Sequence, residues 1–368
     1  MSTLFTPIQI GPLRLTNRLV VAPMAQYSAT EGAHGPWHRA HLGMLANSGA
    51  GLVMIEMTSP SYAGRCTHGD CSLHDDRTEA ALAETVALMR AVGSARVGIQ
   101  IGHGGRKAST HPSWKGFAPL APGEGAYETI APSALPFGAA PVPREMTAED
   151  IRALIDDHAA AAARAVRAGV DLIEIHGAHG YLLHQFHSPV TNRRGDAYGG
   201  TAENRMRLLL EVFDATRAAA PGIAVGMRIT ASDWIEGGLT PDDAVALARA
   251  LAARGCDYVD VTSGGIDPAQ KIAVGPMYQA GFAATVKAAT GMPVRAVGLI
   301  ATPEQAEGIV AEGKADMVAL ARAFLANPRW GWWAAYRLGA TPDVPLQAQR
   351  AAHPAWAGWG MMDPALSA

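Results

Sequence analysis

The segment His176-Gly177-Ala178-His179-Gly180-Tyr181 sets two imidazoles three residues apart and a phenol two residues further on. Imidazole N–H groups that converge on one point can donate to a single oxygen, and such donors act most strongly on charge that develops in a transition state. A neighbouring tyrosine can supply a proton. Convergence needs a sharply turned backbone, which Gly177 and Gly180 permit. A metal would need further ligands. The stretch Cys66-Thr67-His68-Gly69-Asp70-Cys71 offers some, but at no standard zinc spacing, so no metal site is expected. Each histidine taken alone also reads as an ordinary loop or core residue.

These side chains need a frame to position them. Short apolar runs at Leu19–Ala22, Leu52–Glu56, Val97–Ile101, Leu172–Ile175, Ala224–Ile229, Tyr258–Val261, Val294–Val297 and Met317–Leu320 read as strands. Alanine-rich, helix-period stretches lie between them, among them Glu79–Val92, Ala148–Arg167, Pro241–Arg254 and Pro303–Glu312. Thr147 with Asp150 resembles a capping box, and Thr240-Pro241 and Thr302-Pro303 each put a cap residue before a first-turn proline. Gly169, Gly255 and Gly313 close helices just before strands. Near-continuous apolar strands alternating with helices mean a parallel sheet covered on both faces. Eight such units in series predict an α/β fold of the TIM (β/α)8-barrel type. An open dinucleotide-binding sheet would carry a G-x-G-x-x-G fingerprint; Gly102-His103-Gly104-Gly105-Arg106-Lys107 has the glycines at the wrong spacing. The whole chain, 1–368, is expected to form one barrel domain. Residues 1–18 form a hairpin lid turning at Gly11-Pro12, 107–145 form an active-site loop after strand 3, and 328–368 form a C-terminal extension.

Barrel sites sit at the carboxyl ends of the strands. There the sequence places Pro23 to Tyr27, then Met57, Gln100, the histidine segment and Arg228, then Gly298 after strand seven and Ala321-Arg322 after strand eight. Glycine and arginine at the last two positions suit a phosphate, which barrels commonly hold there; a loop glycine and a surface arginine are the plain alternative. Composition narrows the classes further. Thirty basic against 33 acidic residues give no reason to expect nucleic acid or an anionic membrane surface as a partner. Three cysteines, Cys66, Cys71 and Cys256, make no disulfide framework and suit a reducing cytoplasm. The first residues lack a secretory pattern and no apolar run is long enough to span a bilayer.

The residues now become recognisable. Leu15-Thr16-Asn17-Arg18, Ala22-Pro23-Met24, Ile99-Gln100, Gly105-Arg106-Lys107-Ala108, Ile130-Ala131-Pro132-Ser133 and His176 to Phe186 occur in order. They are followed by Ser188-Pro189-Val190-Thr191-Asn192-Arg193-Arg194-Gly195-Asp196-Ala197-Tyr198-Gly199-Gly200 and Glu203-Asn204-Arg205. Over essentially its whole length the chain resembles the old yellow enzyme family of FMN-dependent ene-reductases, nearest the thermophilic-like bacterial branch. The resemblance implies non-covalently bound FMN reduced by transient NADPH or NADH. It also implies ping-pong hydride transfer to activated alkenes (α,β-unsaturated ketones and aldehydes, maleimides, nitroalkenes), and a homodimer or homotetramer. By position it implies that Ala22, Pro23, Met24, Ala25 and Met57 line the flavin, that Gln100 bonds its pyrimidine edge, and that Arg228 stabilises the anionic reduced ring. Gly298, Ala321 and Arg322 would hold the phosphate and Tyr27 would contact substrate. His176 and His179 would grip the substrate oxygen, and Tyr181 would protonate the α carbon.

The chain departs from its branch at two positions. Ala25 stands where a cysteine is usual and Met57 where a small alanine is usual, a combination that reads as a volume exchange shifting the flavin potential. Arg350 is the candidate for an arginine inserted into a neighbouring subunit's site; the alternative is a tail residue, with Trp356 and Trp359 packing on their own barrel. Three other functions stay open: an FMN barrel oxidase or demethylase, a flavin-free phosphate-ligand lyase or isomerase, and an idle flavin-binding protein. The lack of cysteine after Cys256 argues against an iron–sulfur subtype.

Overall fold

The computed structural model describes residues 2–366. Eight parallel strands close into a barrel: β1 (Leu19–Val21), β2 (Leu52–Thr58), β3 (Arg96–Ile101), β4 (Leu172–Gly177), β5 (Ala224–Thr230), β6 (Val259–Thr262), β7 (Val294–Ala296) and β8 (Met317–Leu320). Each pairs with its sequence neighbours, and β8 returns to β1 through Val318–Leu320 beside Leu19–Val21. All residues of β4 and β5 are buried, as strands covered on both faces must be. The helix predicted from Glu79 begins at Asp76, because Asp75 accepts the Thr78 N–H at 2.8 Å and caps the helix one turn earlier. The helices read to Arg254 and Glu312 end at Ala252 and Ala311. The expected caps form at Thr147, Thr240 and Thr302, and Gly169, Gly255 and Gly313 all take positive φ.

The amino-terminal hairpin pairs Ile8–Ile10 with Leu13–Leu15 around Gly11, at φ +50°. It sits at the amino-terminal end of the barrel, where Ile10, Leu13 and Leu15 pack with Leu52, Leu172, Ala224 and Met317 from inside the strands. Between this apolar floor and the barrel mouth lies a charged layer. The fully buried Arg295 bonds Glu174 and, through Nε at 2.7 Å, Asp260. Tyr258 and Gln100 each donate to Glu174 at 2.8 Å. Buried charges persist only when paired in this way, so the layer fixes the strands that carry the mouth residues. Along β2 the register against β3 slips between Ile55 and Met57, which makes Glu56 the extra residue of a bulge. Bulges beside sites re-aim side chains. Here Glu56 turns into the wall, where it accepts the Gln26 N–H at 2.7 Å and lies 3.1 Å from His38 Nε2, while Met57 faces the mouth.

Candidate active site

Two cavities open at the mouth. The larger, about 820 Å³, is lined by Ala22, Arg228, Gly298, Ala321, Arg322 and His179 among others. The smaller, about 470 Å³, is lined by Ala25, Tyr27, Met57, Tyr181, Lys107 and Cys66 with residues of the long loop. The histidine segment joins them. β4 ends in His176-Gly177, and the chain then turns through His179 at φ +56° and Gly180 at φ +72°. That turn brings His176 Nε2 and His179 Nδ1 within 3.4 Å and sets the Tyr181 ring 4.9 Å from that of His176. Convergence of the three groups, expected from spacing, is therefore present.

Glycine is required for a direct reason at Gly180. A Cβ there would lie 2.0 Å from the Gly265 carbonyl oxygen, and one on Gly265 would lie 2.5 Å from that of His179. The two loops touch backbone to backbone. Gly180→Ala is expected to cost roughly 3 kcal/mol, combining left-handed strain with overpacking against a carbonyl that cannot yield. Urea unfolding checks this; a loss within 1 kcal/mol of zero would show that the loops part freely. Two further anchors hold the turn. Gly180 N–H donates to His184 Nδ1 at 2.7 Å, and His184 Nε2 meets Asp233 at 2.8 Å. Lys107 Nζ donates to the carbonyls of His179 and Gly265 at 2.8 and 3.1 Å.

Burial sets the protonation states. Burial, then Arg228, hold both His176 and His179 well below the usual imidazole range, so each is neutral. His176 Nδ1 accepts the Ala178 N–H at 3.2 Å, which leaves the His176 proton on Nε2, facing His179. Repulsion by the Cys66 thiolate form, then burial and Asp70, push the Tyr181 phenol well above its ordinary value. Burial lowers Lys107 to about 8 and raises Asp70 to about 6.

Most of the remaining predicted residues divide between the cavities. Ala22, Arg228, Gly298, Ala321 and Arg322 line the larger, and Tyr27, Ala25 and Met57 line the smaller. Tyr27, at φ +50°, packs edge-on against Trp114 at 5.5 Å and Phe117 at 6.2 Å, so the loop after strand 3 forms part of the wall. Gln100 points into the charged layer toward Glu174. Pro23 and Met24 are half-buried, with Met24 packed on the outer core. Arg350 is exposed on the turn Leu346–Ala351 and lines neither mouth cavity of its own chain, while Trp359 packs with Trp332, Tyr336 and Leu366. The Cys66–Cys71 stretch does not gather into one centre. His68 turns to the Glu124 carbonyl at 3.2 Å, whereas Cys71 lies 3.4 Å from His38 Nε2 in a buried group with Glu56.

Lys107, Thr262 and Gln279 are site residues to which sequence reasoning gives no role, and Cys66 and Asp70 are weighed there only as metal ligands. Thr262 ends β6, so inspection of that strand end could have found it; no local pattern marks Gln279. Two observations fit the larger cavity to FMN. The buried Arg228 Nε has no hydrogen-bond acceptor among the described residues, the Asp260 carboxylate oxygen lying 3.5 Å away. Gly298, at φ +106°, offers bare backbone beside Arg322, which donates to no protein acceptor among the described residues. Cationic donors left without protein acceptors suit an anionic ring edge and a phosphate.

Among the described residues no helix is long and apolar enough to cross a membrane. Residues 3–339 match the NADH:flavin oxidoreductase / NADH oxidase family. An NADPH dehydrogenase of Geobacillus thermodenitrificans is 41% identical over 352 residues, covering 95% of this chain and 98% of that protein. An NADH:flavin oxidoreductase of Gibberella zeae is 42% identical over 344 residues, covering 88% of this chain and 83% of that protein. Among solved structures, morphinone reductase aligns with TM-score 0.77 at 29% identity, over 94% of this chain and 91% of that one. The chain thus belongs to the NADH:flavin oxidoreductase / NADH oxidase family, the old yellow enzymes, and is an FMN-dependent NAD(P)H oxidoreductase.

Proposed function

We propose that the enzyme reduces activated C=C bonds, with NAD(P)H and alkene using the same mouth in turn. The observation that carries this reading is the meeting of His176 Nε2, His179 Nδ1 and the Tyr181 ring where the two cavities join. Arg228, Gly298, Ala321 and Arg322 would hold FMN, whose reduced form would supply the hydride. The protein's part is electrostatic and protonic. His176 and His179 bind the carbonyl or nitro oxygen, orient the alkene, and stabilise the negative charge that grows on that oxygen as the β carbon is reduced. Tyr181 holds its proton for the α carbon. Tyr27, Met57 and the loop residues Phe117 and Phe137 give the smaller cavity an apolar wall that suits a flat conjugated substrate and excludes water.

The test is a stopped-flow sequence. The yellow holoenzyme is bleached anaerobically by NADPH, freed of excess nucleotide, and mixed with cyclohex-2-enone. Recovery of the yellow colour with formation of cyclohexanone is expected, with parallel lines in double-reciprocal plots at steady state. Bleaching without recovery would point to an oxidase or demethylase instead, and absence of bleaching to an idle flavin protein.

A further inference from the structure

The two histidines are near enough to bond each other, which conflicts with both donating to a third atom. Neutral His179 carries one ring proton. His176 Nε2–H faces His179 Nδ1 at 3.4 Å, and His179 Nε2 faces Thr262 Oγ1 at 2.9 Å. Thr262 Oγ1 in turn lies 3.0 Å from Gln279 Oε1, which also accepts from Ser263 Oγ at 2.7 Å. Gln279 is 4% exposed and lines the larger cavity, outside the histidine segment.

A hydroxyl has one proton to donate, so each link in this chain fixes the next. With Gln279 Oε1 toward the hydroxyls, Thr262 donates to Gln279 and accepts from His179 Nε2–H. The His179 Nδ1 lone pair then takes the His176 proton, and neither imidazole N–H is free. With the amide turned over, its NH2 donates to Thr262 and Ser263. Thr262 then donates to His179 Nε2, and the His179 proton resides on Nδ1. Both N–H groups now point at the gap between the rings. The two arrangements hold the same number of protons; the imidazole proton moves from Nε2 to Nδ1 by exchange through solvent. Amide orientation follows from the hydrogen-bond network around it, and here both orientations complete a network.

We infer that Gln279 is a positioning residue whose amide orientation selects the His179 tautomer, pairing the histidines with each other in the resting site and turning both into donors when a substrate oxygen arrives. The inference rests on the proposed grip of that oxygen by His176 and His179. Room for the turn is present. The Gln279 amide nitrogen donates to no protein acceptor among the described residues, and a Cβ on Gly298 would lie 2.6 Å from it. Glycine at position 298 therefore leaves the space in which the two ends of the amide exchange.

Two substitutions push the equilibrium in opposite directions, which a merely structural role would not do. Gln279→Glu offers only acceptors above the pKa of the new carboxyl, and should hold His179 as the Nε2–H form. Gln279→Leu removes the acceptor, so Thr262 turns to His179 Nε2 and the Nδ1–H form persists without ligand. The measurement is 15N NMR of histidine-labelled oxidised holoenzyme, with and without cyclohex-2-enone, alongside reoxidation rates of the reduced enzyme. In the native enzyme the enone should shift His179 from Nε2–H to Nδ1–H. In Gln279→Glu it should fail to do so, and KM for the enone should rise at least tenfold. In Gln279→Leu the Nδ1–H form should be present from the start, before any enone is added. If Gln279→Glu does not fold, Thr262→Val serves: by cutting the link it should remove the enone-induced shift. An unchanged tautomer response in these variants would overturn the inference even while His179→Ala still abolished enone binding. Unimpaired enone turnover by His179→Ala would instead overturn the grip on which it rests.

Discussion

Tyr181→Phe is expected to leave NADPH reduction of the holoenzyme near its native rate and to slow reoxidation by cyclohex-2-enone by about 10²–10⁴-fold, the usual contribution of a positioned general acid. The shape of the pocket is nearly conserved, since only a hydroxyl is lost. The effect falls on one half-reaction because the proton is needed only when the α carbon becomes carbanion-like. The phenol is suited to that task by its surroundings: Cys66, burial and Asp70 all oppose its ionisation, so its proton stays in place to high pH. Rapid mixing in each half-reaction separately is the check. Equal slowing of both halves would mean that Tyr181 shapes the cavity rather than supplying a proton.

Removing a donor from the oxygen should cost nearly as much. His179→Ala is expected to lower kcat/KM for the enone by about 10²–10³-fold, as loss of one donor from an oxyanion site does. The pH dependence follows from the same environment. Both imidazoles lie well below the ordinary value of about 6.5, so they stay neutral through the physiological range and the rate should show no inflection near 6.5. The unfolded chain does protonate these groups below that pH, and the native chain does not. Unfolding therefore takes up protons in acid, and stability falls as the pH drops below about 6.5. His179→Ala should flatten that fall. An inflection near 6.5 in native kcat/KM that vanished in His179→Ala would show instead that the imidazole titrates during catalysis.

How far the sequence could be read depended on the kind of signal. The barrel was legible because burial on both faces writes a strand as an unbroken apolar run: Met317–Leu320 was read to the residue and Leu172–Gly177 to within two. The histidine–tyrosine trio was legible because its three members share six residues of chain. Barrel geometry brings the strand ends that carry Gly298 and Arg322 to one mouth, and with Ala321 they line the larger cavity there. The connections among distant strands were not legible. Arg295 and Glu174 lie 121 positions apart, and each sits in an apolar run where a charge reads as an interruption. The bulge at Glu56 could not be foreseen either, because an extra residue in one strand is defined only against its neighbour. Gln279 acts through Thr262 and has no periodicity to betray it. Ala25 and Met57, read as departures, do line one cavity, and Cys66 lines it with them.

That thiol has a consequence of its own. The branch's usual thiol is absent at Ala25, yet Cys66 brings sulfur to the same cavity, beside Tyr181. Electron-poor alkenes alkylate thiolates and leave neutral thiols largely alone. Burial, reinforced by Asp70, keeps Cys66 protonated far above its ordinary range, and Lys107, which pulls the other way, has its own charge weakened by burial. The cavity thus holds a nucleophile in a disarmed state beside the electrophiles proposed as its substrates: burial, which also helps Tyr181 keep its proton, leaves this thiol in the form that such electrophiles do not alkylate.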